Sequence, residues 1–89
     1  MNRAEIGGRK LELTYPCAWS YKAIGTEAEA VVAAIEAVVG ERDCLIHESN
    51  RSRSGKYVSV ALETVVSSEE DRTTLYEALL RAPAIKMVL

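Results

Sequence analysis

From Tyr57 to Val66 the chain alternates. Val58, Val60 and Leu62 fall on one side of an extended backbone, and Tyr57, Ser59, Ala61 and Glu63 on the other. Period-2 alternation over β-branched residues predicts a strand with one buried and one solvated face. Its length marks it as the central strand, entered from a polar connection over Arg51–Lys56 that contains Gly55. Ala18–Ile24 alternates too, with Trp19, Tyr21 and Ala23 opposed to Ser20, Lys22 and Ile24. This predicts a first strand that ends at Gly25. Before it, Tyr15-Pro16 sets an extended entry, because proline excludes its predecessor from the helical region.

The period then changes. Ala28, Val31, Val32, Ile35, Val38 and Val39 recur at helical spacing, and Gly40 stands where a left-handed C-cap belongs. Thr26-Glu27-Ala28-Glu29 has the form of a capping box, Thr26 receiving a backbone amide and Glu29 reaching back. So many valines lower helix propensity, so this helix needs tertiary packing. Its polar face carries Glu27, Glu29 and Glu36. Glu41–Asp43 forms a turn, and Cys44–Asn50 a second strand.

Ser67-Ser68-Glu69-Glu70-Asp71 predicts the start of a second helix, with a box between Ser67 and Glu70 and acids against the positive helix end. Its stripe is Leu75, Tyr76, Leu79 and Leu80. Arg81 suits the C-terminal turn, Pro83 stops the helix, and Ile85–Leu89 makes a last strand. Residues 1–14, with Gly7-Gly8 and weak alternation at Leu11 and Leu13, predict a mobile lead-in to one domain over 15–89.

The element order is thus β-α-β-β-α-β. Right-handed crossovers in both halves give an antiparallel sheet of order 4-1-3-2 with both helices on one face, the ferredoxin-like α+β sandwich.

Eighty-nine residues with 48% apolar and 27% charged side chains make one modest, largely aliphatic core, with five aromatic residues and no phenylalanine. A net charge of −2 provides no global attraction to nucleic acid or membrane. The start lacks a signal-like apolar stretch and no run approaches a membrane span, so a cytoplasmic protein is expected, with Cys17 and Cys44 reduced.

Several segments together resemble the YbeD-like family of small bacterial proteins of unknown function. They are Tyr15-Pro16-Cys17, Tyr21-Lys22-Ala23-Ile24-Gly25, Ser54-Gly55-Lys56-Tyr57-Val58-Ser59-Val60, Leu75-Tyr76-Glu77-Ala78-Leu79 and Ile85-Lys86-Met87-Val88-Leu89. The likeness covers Tyr15–Leu89 in order and spacing and leaves the first 14 residues outside. It implies a ferredoxin-like fold similar to ACT regulatory domains, which bind amino acids and oligomerise. It also implies a regulatory or binding module. Members of that family often neighbour lipoate-pathway genes.

On that resemblance, Lys22, Gly25 and Thr26 are the first candidate site. A loop from strand to helix N-terminus, with a glycine for close approach and a nearby lysine, suits a carboxylate or other small anion. The bland alternative is a turn glycine, a cap and a solvated lysine. Gly25→Val is expected to block a ligand there and leave folding cooperative.

Arg51, Arg53, Lys56, Tyr57 and Ser59 form a second candidate surface. RNA-binding domains of this fold stack bases on strand aromatics. One aromatic beside Ser59 and Ala61 in a mildly acidic chain makes single-stranded RNA binding the alternative rather than the main reading. Ser54-Gly55-Lys56 lacks the first glycine, the following Ser/Thr and the helix of a phosphate-binding loop. Cys44 and His47 have zinc-like spacing, yet on a strand they point to opposite faces, and no full ligand set accompanies them. Asn50-Arg51-Ser52 is a glycosylation sequon without a secretory context.

No metal, cofactor or catalytic constellation is expected. The remaining surface is the open sheet face, placed at Ser20, Lys22, Tyr57, Ser59, Ala61 and Lys86 with Ile24 and Val88 nearby, and read as neither strongly apolar nor strongly charged. The expected partners are a small anionic metabolite, a protein, or a second copy through that face or an edge strand.

Overall fold

The computed structural model of the protein describes residues 14–51 and 54–89, with the backbone alone at 50 and 51. Most of the expected lead-in therefore lies outside the described residues, as do Ser52 and Arg53. Six elements follow in the expected order: β1 (Cys17–Gly25), α1 (Ala28–Val39), β2 (Cys44–Arg51), β3 (Val58–Val66), α2 (Glu69–Arg81) and β4 (Met87–Val88). The strands form one antiparallel sheet of order β2-β3-β1-β4, which is 4-1-3-2 read from the other edge. This is the ferredoxin-like α+β fold.

β1 and β3 pair without a break from Cys17 opposite Val66 to Gly25 opposite Val58. Alternate residues of this ribbon face the helices. Tyr21, Ala23, Val60 and Leu62 meet Val31, Ile35 and Val39 of α1 and Leu75 and Leu79 of α2, closed at one end by Ile85 and Val88. Ile35, Val31, Val60, Leu62 and Leu79 are fully buried. Each such side chain contributes about 1.5–3 kcal/mol of transfer free energy, and this packing offsets the poor intrinsic propensity of the valine-rich α1.

The helix ends differ from expectation. The N-cap of α1 is Glu27, extended and making no side-chain cap bond, while Thr26 sits in a bend. β1 runs on through Gly25, so helical backbone begins too late for the Thr26 hydroxyl to cap it. Gly40 has the expected positive φ of 61°, but its ψ of −124° lies away from the left-handed helical basin. In α2 the box slides one residue along: Ser68, not Ser67, accepts the Asp71 N–H at 2.9 Å, and Asp71 rather than Glu70 reaches back, taking the Ser67 N–H at 3.0 Å. An arginine partner, described below, selects Asp71.

Two of the four stripe residues of α2 are not buried. Leu75 and Leu79 are, whereas Tyr76 and Leu80 remain 39% and 44% exposed. β4 pairs with β1 only at Ala23–Val88 and Ile24–Met87, with backbone bonds extending to Lys22–Leu89 and to Lys86. The same register corrects the open face. Val88 shares the core side with Ala23, and Met87 and Leu89 lie on the open side with Ile24 and Lys22. That face is more apolar than the alternation predicts, with Leu45, Val65, Met87 and Leu89 between 51% and 68% exposed.

Candidate functional site

The first half of β1 and the first turns of α2 face each other across a gap, while β4 pairs with the later part of β1. A cavity of about 270 Å³ opens there, lined by Trp19, Tyr21, Arg72, Thr73, Tyr76 and Leu89. Trp19 and Tyr21 arrive by the period-2 rule, two residues apart on the helix-facing side of β1. Arg72 and Tyr76 arrive by the helical rule, one turn apart on α2. No short sequence motif joins them; only the crossover that packs α2 on β1 does.

Arg72 dominates the chemistry. Its guanidinium lies 4.7 Å from the Trp19 ring centroid, within cation–π distance. Its Nε donates to the Tyr15 hydroxyl at 3.2 Å, and that hydrogen bond holds the guanidinium pKa above its ordinary value. Beneath it, the Tyr21 hydroxyl donates to the Arg72 backbone carbonyl at 2.6 Å. Burial pushes the Tyr21 phenol pKa up, against the opposing pull of Arg72. Among the described residues no carboxylate is bonded to Arg72. The cavity thus offers an oriented cation, aromatic walls and a threonine hydroxyl.

The residues of the first sequence-predicted site do not converge. Lys22 is exposed on the open face, whereas Gly25 is buried on the helix-facing side and Thr26 is exposed at the following bend. A β-carbon at Gly25 would collide with the Ala84 carbonyl and the Val31 side chain. The protein's own chain fills the space beside Gly25. Gly25→Val, expected to leave folding cooperative, would therefore strain this packing as well as block any ligand.

In the second predicted group, Arg53 and the Arg51 side chain lie outside the described residues. Lys56 and Tyr57 precede β3, and the Lys56 ammonium sits 5.5 Å from the Tyr57 ring centroid. Ser59 is half-buried on the open face, where its hydroxyl accepts from Ser49 at 3.2 Å. Cys44 is in register with Thr64 on the core side and His47 with Ala61 on the open side, so they face apart. Both cysteines are free thiols. Among the described residues, no cluster of three metal-ligating side chains occurs, and no helix is long and apolar enough to cross a membrane.

The fold defines a class: small α+β domains of the ACT-like, ferredoxin-like type. An ACT domain from a GTP pyrophosphokinase of Chlorobium tepidum superposes with a TM-score of 0.59 over 81% of this chain and 94% of that one, at 16% identity. Protein HP0495 of Helicobacter pylori superposes with a TM-score of 0.78 over 100% of this chain and 98% of its own, at 21% identity. Residues 10–89 match the family described as "Protein of unknown function (DUF493)", and the chain belongs to that family. The uncharacterized protein Cj0253 of Campylobacter jejuni is 34% identical over 76% of this chain and 78% of its own length. A UPF0250 protein of Haemophilus ducreyi is 32% identical over 100% of this chain and 96% of its own. The resemblance to small, uncharacterised YbeD-like bacterial proteins is thereby established.

Proposed function

We propose that the protein is a non-enzymatic, cytoplasmic regulatory module that binds a small carboxylate-bearing metabolite in the β1–α2 cavity. One observation carries this reading: Arg72, stacked on Trp19 and tied to Tyr15, points a fixed cation at a cavity without a bonded carboxylate among the described residues. An arginine so oriented can receive an anionic group bidentately, while Trp19 and Tyr76 contact an apolar or aromatic body. The volume lies just below the usual range for ligand pockets, which suits a molecule of amino-acid size. The ACT-like fold supports regulation rather than catalysis as the role.

The test is amide NMR of the labelled full chain, titrated with amino acids, aromatic and aliphatic carboxylates and nucleotides. Saturable shifts centred on Trp19, Arg72 and Tyr76, lost in Arg72→Gln, are expected. Shifts centred instead on Lys22, Gly25 and Thr26 would move the ligand to the β1–α1 junction. A spectrum unmoved by the whole panel would overturn the metabolite reading.

A further inference from the structure

The open sheet face carries a pattern that is complementary to itself. Its same-face residues form rows across the strands: Ala18 with Val65; Ser20 with Glu63 and Leu45; Leu89 with Lys22, Ala61 and His47; and Met87 with Ile24 and Ser59. One corner is thus apolar through Leu45 and Val65, and the diagonally opposite corner through Met87, Leu89 and Ile24. Between the corners stand one cation and one carboxylate, Lys22 and Glu63, on adjacent strands and adjacent rows. Glu63 is held in place by His47, Nε2 to Oε2 at 3.3 Å.

We propose that this face is the contact surface of a two-fold homodimer, with two sheets stacked face to face. The occupant is identified by charge and apolar complementarity satisfied together. Strands spaced about 4.8 Å apart, with same-face residues about 6.8 Å apart along them, fix the projected positions of these side chains. A two-fold axis lying between the sheets can be oriented to bring Lys22 over the partner's Glu63, and by symmetry Glu63 over the partner's Lys22. That one orientation also places Val65 within about 3 Å, in projection, of the partner's Leu89, and Leu45 within about 3 Å of the partner's Ile24. Nothing further is adjustable once the charge pair is matched, so the apolar agreement is an independent consequence.

The strands of the two sheets then cross at roughly 70°, nearer the orthogonal than the aligned class of sheet packing. Crossing at that angle, two faces about 19 Å wide overlap over roughly 400 Å² in projection, the size of a weak, concentration-dependent contact rather than a standard interface of roughly 800 Å² per partner. An isologous contact of this kind closes on itself; it meets the rim of the β1–α2 cavity at Leu89 alone and leaves Trp19, Tyr21, Arg72, Thr73 and Tyr76 on the helix-facing side.

Sedimentation velocity and light scattering on the full chain test this. A concentration-dependent dimer is expected, weakened at least about tenfold by Val65→Lys, with the amide spectrum of the variant remaining that of a folded monomer. Lys22→Glu and Glu63→Lys should each weaken the dimer through like-charge contact, and the double variant Lys22→Glu/Glu63→Lys should restore it. A wild-type monomer throughout the accessible concentration range would overturn the proposal, leaving the face bare or for another partner. A dimer indifferent to Val65→Lys would overturn it in favour of an edge strand. Failure of the double variant to recover would overturn the proposed axis.

Discussion

Arg42 and Asp71 close a two-pronged ion pair between the α1–β2 connection and the first turn of α2. Arg42 Nη2 donates to Asp71 Oδ1 at 2.6 Å, and Nη1 to Oδ2 at 3.2 Å. Nη1 also donates to the Val65 carbonyl at 3.0 Å, so one side chain ties the end of β3 to the start of the helix that follows it. Asp71 meanwhile takes the Ser67 N–H and sits at the positive end of α2. One carboxylate thereby serves the cap, the helix dipole and the interelement bridge.

This arrangement predicts an acid limb to stability. The Arg42 hydrogen bond, then the Ser67 amide, hold the Asp71 carboxyl below its ordinary pKa of 3.8. A lowered folded-state pKa adds stability above the unfolded value that disappears as pH falls through the folded one. Urea unfolding of wild type and Asp71→Asn should differ by a constant amount above about pH 5 and converge in stronger acid. Curves separated equally at every pH would reject an ionic role for Asp71.

Tyr21 predicts the opposite limb. Its phenol is pushed up by burial while donating to the Arg72 carbonyl. Its neutral form therefore adds stability present below the unfolded pKa near 10 and lost as pH rises through the folded value. Ultraviolet titration should show one tyrosine ionising late, absent in Tyr21→Phe, and that variant should lose about 1 kcal/mol at neutral pH.

On α2, Leu79 and Leu80 are adjacent in sequence and unequal in packing. Leu79 is 0% exposed and Leu80 44%. Leu79→Ala should destabilise by about 3 kcal/mol and Leu80→Ala by less than about 0.5 kcal/mol. Equal losses in chemical denaturation would place the helix at a different rotation.

Gly25 leaves no room for a side chain. Because the Ala84 carbonyl and Val31 occupy the position of its missing β-carbon, Gly25→Ala should cost about 1–3 kcal/mol. An unchanged denaturation midpoint would show that the Pro83–Ala84 turn can retreat freely.

The strands and helices were legible because each has a single dominant period. Val58, Val60 and Leu62 repeat every two residues, and Val31, Ile35 and Val39 every four, so their buried faces follow from backbone geometry alone. The 4-1-3-2 order then followed from the handedness of two crossovers. Where adjacent residues offered equivalent chemistry, local pattern could not choose. Ser67 and Ser68 are both good caps, and the contact from Arg42 to Asp71 decided between them. Tyr76 and Leu80 fit the apolar stripe, yet both stay exposed, because what packs against a helix face is decided by the other elements and not by its own period.

The sequence by itself determined the element order, the topology and most of the core, since these rest on near-neighbour periodicity and crossover handedness, and its quoted segments carried the family resemblance. Tertiary structure alone decided the candidate site. Arg72 meets Trp19 and Tyr15 across more than fifty residues, Ala84 fills the space beside Gly25, and the final strand's register turns Met87 and Leu89, rather than Val88, to the open face. Such contacts are set by where separate elements come to rest against one another, and no local period encodes that.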